Sequence, residues 1–131
     1  MISPVTLAES IPLKIAVTGA TGFIGRHVLA ELETRSVEPI VIVRPSAAKV
    51  HGHFKCNVVQ FDLHNPPSNA FELMGCPDVL IHLAWSGLPN YNSLHHFEQE
   101  LPAQYRFLKN LIESGLQTLV VAGTCFEYGM Q

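Results

Sequence analysis

A chain of 131 residues suits a single domain, and a domain of that length buries roughly two-thirds of its unfolded surface, enough for a core. With 47% hydrophobic and 15% charged residues it is too apolar for a disordered segment. Its formal net charge of -3, without any basic run, argues against an electrostatic grip on nucleic acid.

In chain order, the opening stretch MISPVTLAESIPL lacks a basic n-region and contains Glu9 and two prolines, so it does not read as a signal peptide. The first apolar run, Leu13 to Gly19, has strand length and composition. A helical pattern over 23–35 follows, with Phe23, Ile24, Val28, Leu29 and Leu32 on one periodicity. Further strands are expected over Pro39 to Arg44, Asn57 to Leu63 (a weaker run), Pro77 to Trp85 and Gln117 to Gly123. Pro66 to Gly75 suits a short helix at most. Residues 97–114 carry Phe97, Leu101, Phe107, Leu108, Leu111 and Ile112 at helical spacing, with Gly115 as the stop and Pro102 demanding a kink or a late start. No apolar run approaches the ~20 residues of a membrane-spanning helix.

Continuous Val/Ile/Leu runs suit a parallel sheet covered on both faces, and their alternation with helices implies right-handed crossovers. The expected architecture is α/β: a doubly wound parallel sheet in three α/β/α layers, one Rossmann-type domain over residues 1–131. The long irregular connection Trp85 to His96 follows the carboxyl end of a strand, where open α/β sheets bind ligands.

The strongest motif is VTGATGFIGRHV, where Gly19, Gly22 and Gly25 close the first strand and open the first helix. The first glycine permits a sharp turn, the second lets backbone approach a pyrophosphate, and the third lets helix pack close to strand. The helix N-terminus adds unpaired N–H groups and a partial positive charge. No Gly-Lys-Ser/Thr follows, which excludes a P-loop. The segment Gly19, Ala20, Thr21, Gly22, Phe23, Ile24 and Gly25 is therefore the expected dinucleotide cradle.

On this spacing, T-G-x-x-G-x-x-G from Thr18 to Gly25, the chain resembles the short-chain dehydrogenase/reductase superfamily, and within it the extended NAD-dependent epimerase/dehydratase branch. Other segments agree in order along nearly the whole chain. FDL at Phe61 to Leu63 is similar to the segment that sets an Asp against adenine. HLAW at His82 to Trp85 resembles the H-x-A segment lining the cofactor. GTCFEYG at Gly123 to Gly129 resembles the S-S-x-x-V-Y-G segment after the fifth strand. One departure stands out: where the family shows N-V-x-G-T on the helix beside the cofactor, this chain has ELPAQ at Glu100 to Gln104.

The resemblance implies strand order 3-2-1-4-5, a nicotinamide cofactor and a nucleotide-sugar substrate. Asp62, Leu63, Leu83, Ala84 and Trp85 become cofactor-lining candidates. Thr124 becomes the hydroxyl that orients substrate, with Cys125 and Tyr128 at the border of the substrate site. Arg44, at the end of the second strand where an acidic residue would select NAD, favours the 2′-phosphate of NADP, with NAD the alternative. A solvated Arg44, a simple turn carboxylate at Asp62 and a backbone-bonded hydroxyl at Thr124 are the competing readings, and Trp85 and Tyr91 suit stacking on a ligand or ordinary packing equally.

The family's proton-transfer pair is Tyr-x-x-x-Lys after the fifth strand. Tyr128 has no lysine four residues on, and Tyr105/Lys109 match the pattern on the wrong side of that strand. The chain is thus expected to hold the cofactor half of an epimerase, dehydratase or reductase site, ending after the fifth strand without the smaller C-terminal substrate domain. It should bind dinucleotide without turnover. A stand-alone NADP(H)-binding or regulatory module is the alternative.

The fifth strand, left as a sheet edge, predicts self-association into a homo-oligomer. Cys56, Cys76 and Cys125 are odd in number and lack C-x-x-C spacing, which suggests reduced thiols in the cytoplasm. The pairs His51/His53 and His95/His96 lack partner ligands and read as surface or loop histidines without a metal.

Overall fold

The computed structural model describes residues 12–46 and 54–123. Five short strands form one parallel sheet: β1 (Ile15–Thr18), β2 (Ile40–Val43), β3 (Asn57–Gln60), β4 (Val79–His82) and β5 (Thr118–Val121). Their order is β3-β2-β1-β4-β5, as expected from the resemblance. Val17 sits between Val41 and Ile81, which fixes the central register.

Successive strand residues face opposite sides of the sheet, so each face needs its own cover. Val17, Val41 and Val43 point to one side and pack under Leu29 and Leu32 of α1 (Phe23–Thr34). Ala16, Ile42 and Leu80 point to the other. They meet Phe71 of the single-turn α2 (Ala70–Leu73) and Phe107 and Leu111 of α3 (Leu101–Ser114). Three layers follow directly from apolar runs that are buried on both faces.

The observed strands are shorter than the apolar runs that announce them, because hydrogen-bond pairing stops before hydropathy does. β4 ends at His82 although the run continues to Trp85. Pro102 does not kink a helix. It sits in the first turn of α3, and a π-helical turn (His96–Glu100) leads into it. A proline lacks the N–H for a bond four residues back, and the wider turn accommodates that loss. Gly115 ends α3 with φ 125°, and Leu116 N–H bonds back to Leu111 O at 3.0 Å.

Candidate functional site

The carboxyl edge of the sheet opens into a cleft of about 370 Å³. Its walls come from four connections: the β1–α1 turn, the end of β2, the turn after β3 and the turn after β4, with α3 beneath. A wider depression of about 720 Å³ lies at the strands' amino ends, lined mainly by Pro12 to Ile15, Ser36 to Glu38 and Leu73 to Gly75. The chemistry-bearing motifs meet only in the first.

The three glycines separate into three physical tasks. Gly19 has φ +70°, and a Cβ there would stand 2.7 Å from Ala84 N, so turn and close approach both require glycine. A Cβ on Gly25 would lie 2.1 Å from Gly19 O, so the helix can sit this close to the turn only without one. Gly22 is different. Its extended backbone suits any residue, and a Cβ would meet only Gly19 O at 3.4 Å, an ordinary contact. Among the described residues nothing needs Gly22 bare, yet it lines the cleft. It also precedes a helix whose first N–H groups have no side-chain cap.

Of the expected cofactor residues, Gly19, Ala20, Thr21, Gly22, Arg44, Asp62, Leu63, Leu83, Ala84 and Trp85 come together on this cleft. Phe23, Ile24 and Gly25 do not line it: Phe23 and Ile24 are exposed and Gly25 is turned into the β1–α1 contact. Arg44 is exposed at the end of β2. Asp62 acts as a turn carboxylate, accepting from His64 N–H at 2.9 Å, while it also faces the cleft. Thr124, Cys125, Tyr128, His51 and His53 lie outside the described residues.

Tyr105 and Lys109 form a pair on α3, with the ammonium 5.8 Å from the ring centroid and Glu113 at 4.0 Å from the same nitrogen. Neither lines the cleft. Trp85 does not cap the core. Its Nε1–H donates to His96 Nδ1 at 2.7 Å, and its ring stacks on that imidazole.

A polar network beneath the cleft was not foreseen. Thr18 Oγ accepts from Leu83 N–H (3.1 Å) and Ala84 N–H (3.3 Å) and donates to His82 Nδ1 at 2.7 Å. His82 Nε2–H donates to Gln104 Oε1, and the Gln104 amide donates to Ala84 O (3.0 Å) and Glu100 Oε1 (2.7 Å). The chain of donors assigns His82 as neutral with its proton on Nε2. Burial lowers its pKa, in the same sense.

Glu100 is 1% exposed. Besides Gln104, it accepts from Ser86 Oγ (2.6 Å), Ser86 N–H (3.2 Å) and His64 Nε2 (2.6 Å). Burial alone pushes its carboxyl up, but these donors outweigh burial and bring it to about 2. His95 completes the edge of the group, with Nε2 3.0 Å from Ser86 Oγ and 3.5 Å from Glu100. The His95/His96 pair is thus built into the loop rather than loose on it. The ELPAQ departure was the available signal, since both its polar residues, Glu100 and Gln104, are the ones buried here. Their partners lie too far off in sequence to be read from it.

A five-stranded parallel sheet with a glycine turn feeding a helix at its carboxyl edge defines the class: a Rossmann-type α/β domain. The chain belongs to the NAD dependent epimerase/dehydratase family, which it matches over residues 15–131. It is 28% identical over 118 residues to the dTDP-6-deoxy-L-talose 4-dehydrogenase (NAD(+)) of Aggregatibacter actinomycetemcomitans, covering 89% of this chain and 43% of that protein.

Among solved structures it resembles the UDP-glucose-4-epimerase from Stenotrophomonas maltophila with bound NAD and formylated UDP-arabinopyranose. The TM-score is 0.74 at 20% identity, over 92% of this chain and 39% of that one. It also resembles the UDP-glucose 4-epimerase of Thermotoga maritima with UDP-glucose. There the TM-score is 0.68 at 23% identity, over 86% and 38%. The chain therefore spans about two-fifths of the length of these relatives. Among the described residues, no helix is long and apolar enough to cross a membrane.

Proposed function

We propose that the cleft holds a nicotinamide dinucleotide, with its pyrophosphate at Gly19–Gly22 and the α1 N-terminus. Gly22 carries this reading: it is bare where no atom of the described residues demands it, on a cleft that a helix N-terminus faces. Ala20 and Thr21 join it at the pyrophosphate, Asp62 and Leu63 take the adenine end, and Leu83, Ala84 and Trp85 take the nicotinamide half. Phe23, Ile24 and Gly25 serve through the backbone that shapes the turn.

NADP is the favoured cofactor, since Arg44 lines the cleft and can pair with a 2′-phosphate. NAD, the cofactor named for the relatives, is the alternative. When bound, the cofactor supplies hydride exchange. This chain's contribution is to bind and orient it.

The reaction served is reduction, epimerisation or dehydration of a nucleotide-linked sugar, with Thr124 orienting the substrate oxygen and Cys125 and Tyr128 bordering it. Within these 131 residues the single Tyr-x-x-x-Lys, Tyr105/Lys109, lies on α3 and off the cleft. A dinucleotide-binding or regulatory module without catalysis is the second reading of the same cleft. The free Cys56 and Cys76 fit a cytoplasmic setting, and the exposed β5 edge fits self-association.

Calorimetry with NAD and NADP beside a hydride-transfer assay tests the reading. Saturable binding with NADP tighter than NAD, the difference abolished in Arg44→Ala, is expected. Failure to bind either nucleotide would refute it.

A further inference from the structure

The cleft sets a charge problem for any dinucleotide. Among the described residues its lining holds two carboxylates, Asp62 and Glu100, against one guanidinium, Arg44. Glu100 is buried and cannot turn into solvent, and all four of its hydrogen bonds are accepted ones. Ser86 and Gln104 donate without charge, so only an imidazole can neutralise it. A pyrophosphate entering the same cleft at Gly19–Gly22 brings further negative charge into a partly desolvated space.

His64 is placed to answer this. It stands on the cleft wall, in the turn after β3, and reaches Glu100 across 36 residues of sequence. Nε2 lies 2.6 Å from Glu100 Oε2 and Nδ1 lies 3.3 Å from Asp62 Oδ1. Both ring nitrogens face carboxylate oxygens, which only accept, so both are satisfied only in the imidazolium. His82 makes the contrast, with one donor and one acceptor partner holding it neutral.

Resting on the dinucleotide reading above, we propose that His64 is the counter-ion that admits an anionic dinucleotide to this cleft: protonated, it cancels Glu100; neutral, it leaves the buried carboxylate to repel the pyrophosphate. The hydrogen bond to Glu100 raises the His64 pKa, which extends the competent form toward neutral pH. Among the described residues, the other charged and titratable groups on the cleft or against the pair are Arg44 from the end of β2, Asp62 from its own turn, and His95 from the segment leading into α3, 3.5 Å from the same carboxylate. His82, below, is held neutral.

The test is calorimetric titration of the full chain with NAD and NADH between pH 6 and 9, in two buffers of different ionisation enthalpy. NADP is unsuitable because its 2′-phosphate titrates in this range. Affinity should weaken about ten-fold from low to high pH, with proton uptake on binding. His64→Gln should bind weakly and without pH dependence. Glu100→Gln, checked for folding by circular dichroism, should bind at high pH as tightly as the wild type does at low pH.

A flat wild-type profile overturns the proposal. So does a slope that survives His64→Gln. Absence of binding at every pH refutes the dinucleotide reading itself and this inference with it.

Discussion

Replacing Gly25 by alanine sets two effects of known size against each other. Alanine in a helix is favoured over glycine by about 1 kcal/mol. Here, however, the added Cβ would stand 2.1 Å from Gly19 O and 2.6 Å from Ala20 Cα. Those are backbone atoms of a turn held by Gly22 N–H to Gly19 O at 3.2 Å and cannot swing aside as a side chain would. Relief needs a movement of α1 on the order of 1 Å away from the sheet, which would open contacts of Leu29 and Leu32. Overpacking of this kind costs about 1–3 kcal/mol, and the backbone-on-backbone contact puts Gly25 at or beyond the upper end.

The net expectation for Gly25→Ala is a loss of about 2 kcal/mol, hence a melting temperature lower by roughly 5–10 °C. Urea and thermal unfolding followed by circular dichroism read it directly. Gly22→Ala is the control: its stability should stay within about 0.5 kcal/mol. A Gly25→Ala protein as stable as the wild type, or more so, would refute the packing argument for the third glycine.

Acid should weaken the fold through Glu100. Its native pKa of about 2 lies below the unfolded value of 4.5, so the stability it contributes is present above 4.5 and is lost as pH falls from there toward 2. The slope corresponds to at most roughly 3 kcal/mol, and Glu100→Gln should flatten it in urea melts at pH 2.5–6. His64 acts oppositely: its raised native pKa gives stability that fades as pH climbs through it. Gln104→Leu removes the acceptor for His82 and a donor to Glu100, and should cost about 2–4 kcal/mol. Among the described residues β5 is a sheet edge, with Val120 49% and Val121 53% exposed, and it should drive concentration-dependent association in light scattering. A monomer at all concentrations would contradict that.

The layers were legible because β1, β2 and β4 are runs of Val, Ile, Leu and Ala that only burial on both faces explains. The glycine turn was legible because its spacing obeys local sterics, and Gly19 and Gly25 sit where those sterics require. Element ends were less so, since β4 stops at His82 while hydropathy runs on to Trp85. The π-helical turn before Pro102 follows from the missing N–H. The Glu100 cluster was hidden for a plain reason. A buried carboxylate looks like a solvated one in sequence, and its donors His64 and Ser86 come from two other loops, 36 and 14 residues away. Only the ELPAQ departure marked the place.

The central claim is that a nicotinamide dinucleotide binds at the carboxyl edge of this sheet, on the bare backbone of the glycine turn. Amide NMR shifts on adding NADP or NAD test it most directly. The account predicts saturable shifts at Gly19–Gly22, Arg44, Asp62–His64 and Leu83–Ser86, with Lys14, Val37 and Gly75 at the opposite edge unmoved, and weaker saturation in Gly22→Ala. Shifts confined to that opposite edge, or none at millimolar nucleotide, would contradict it.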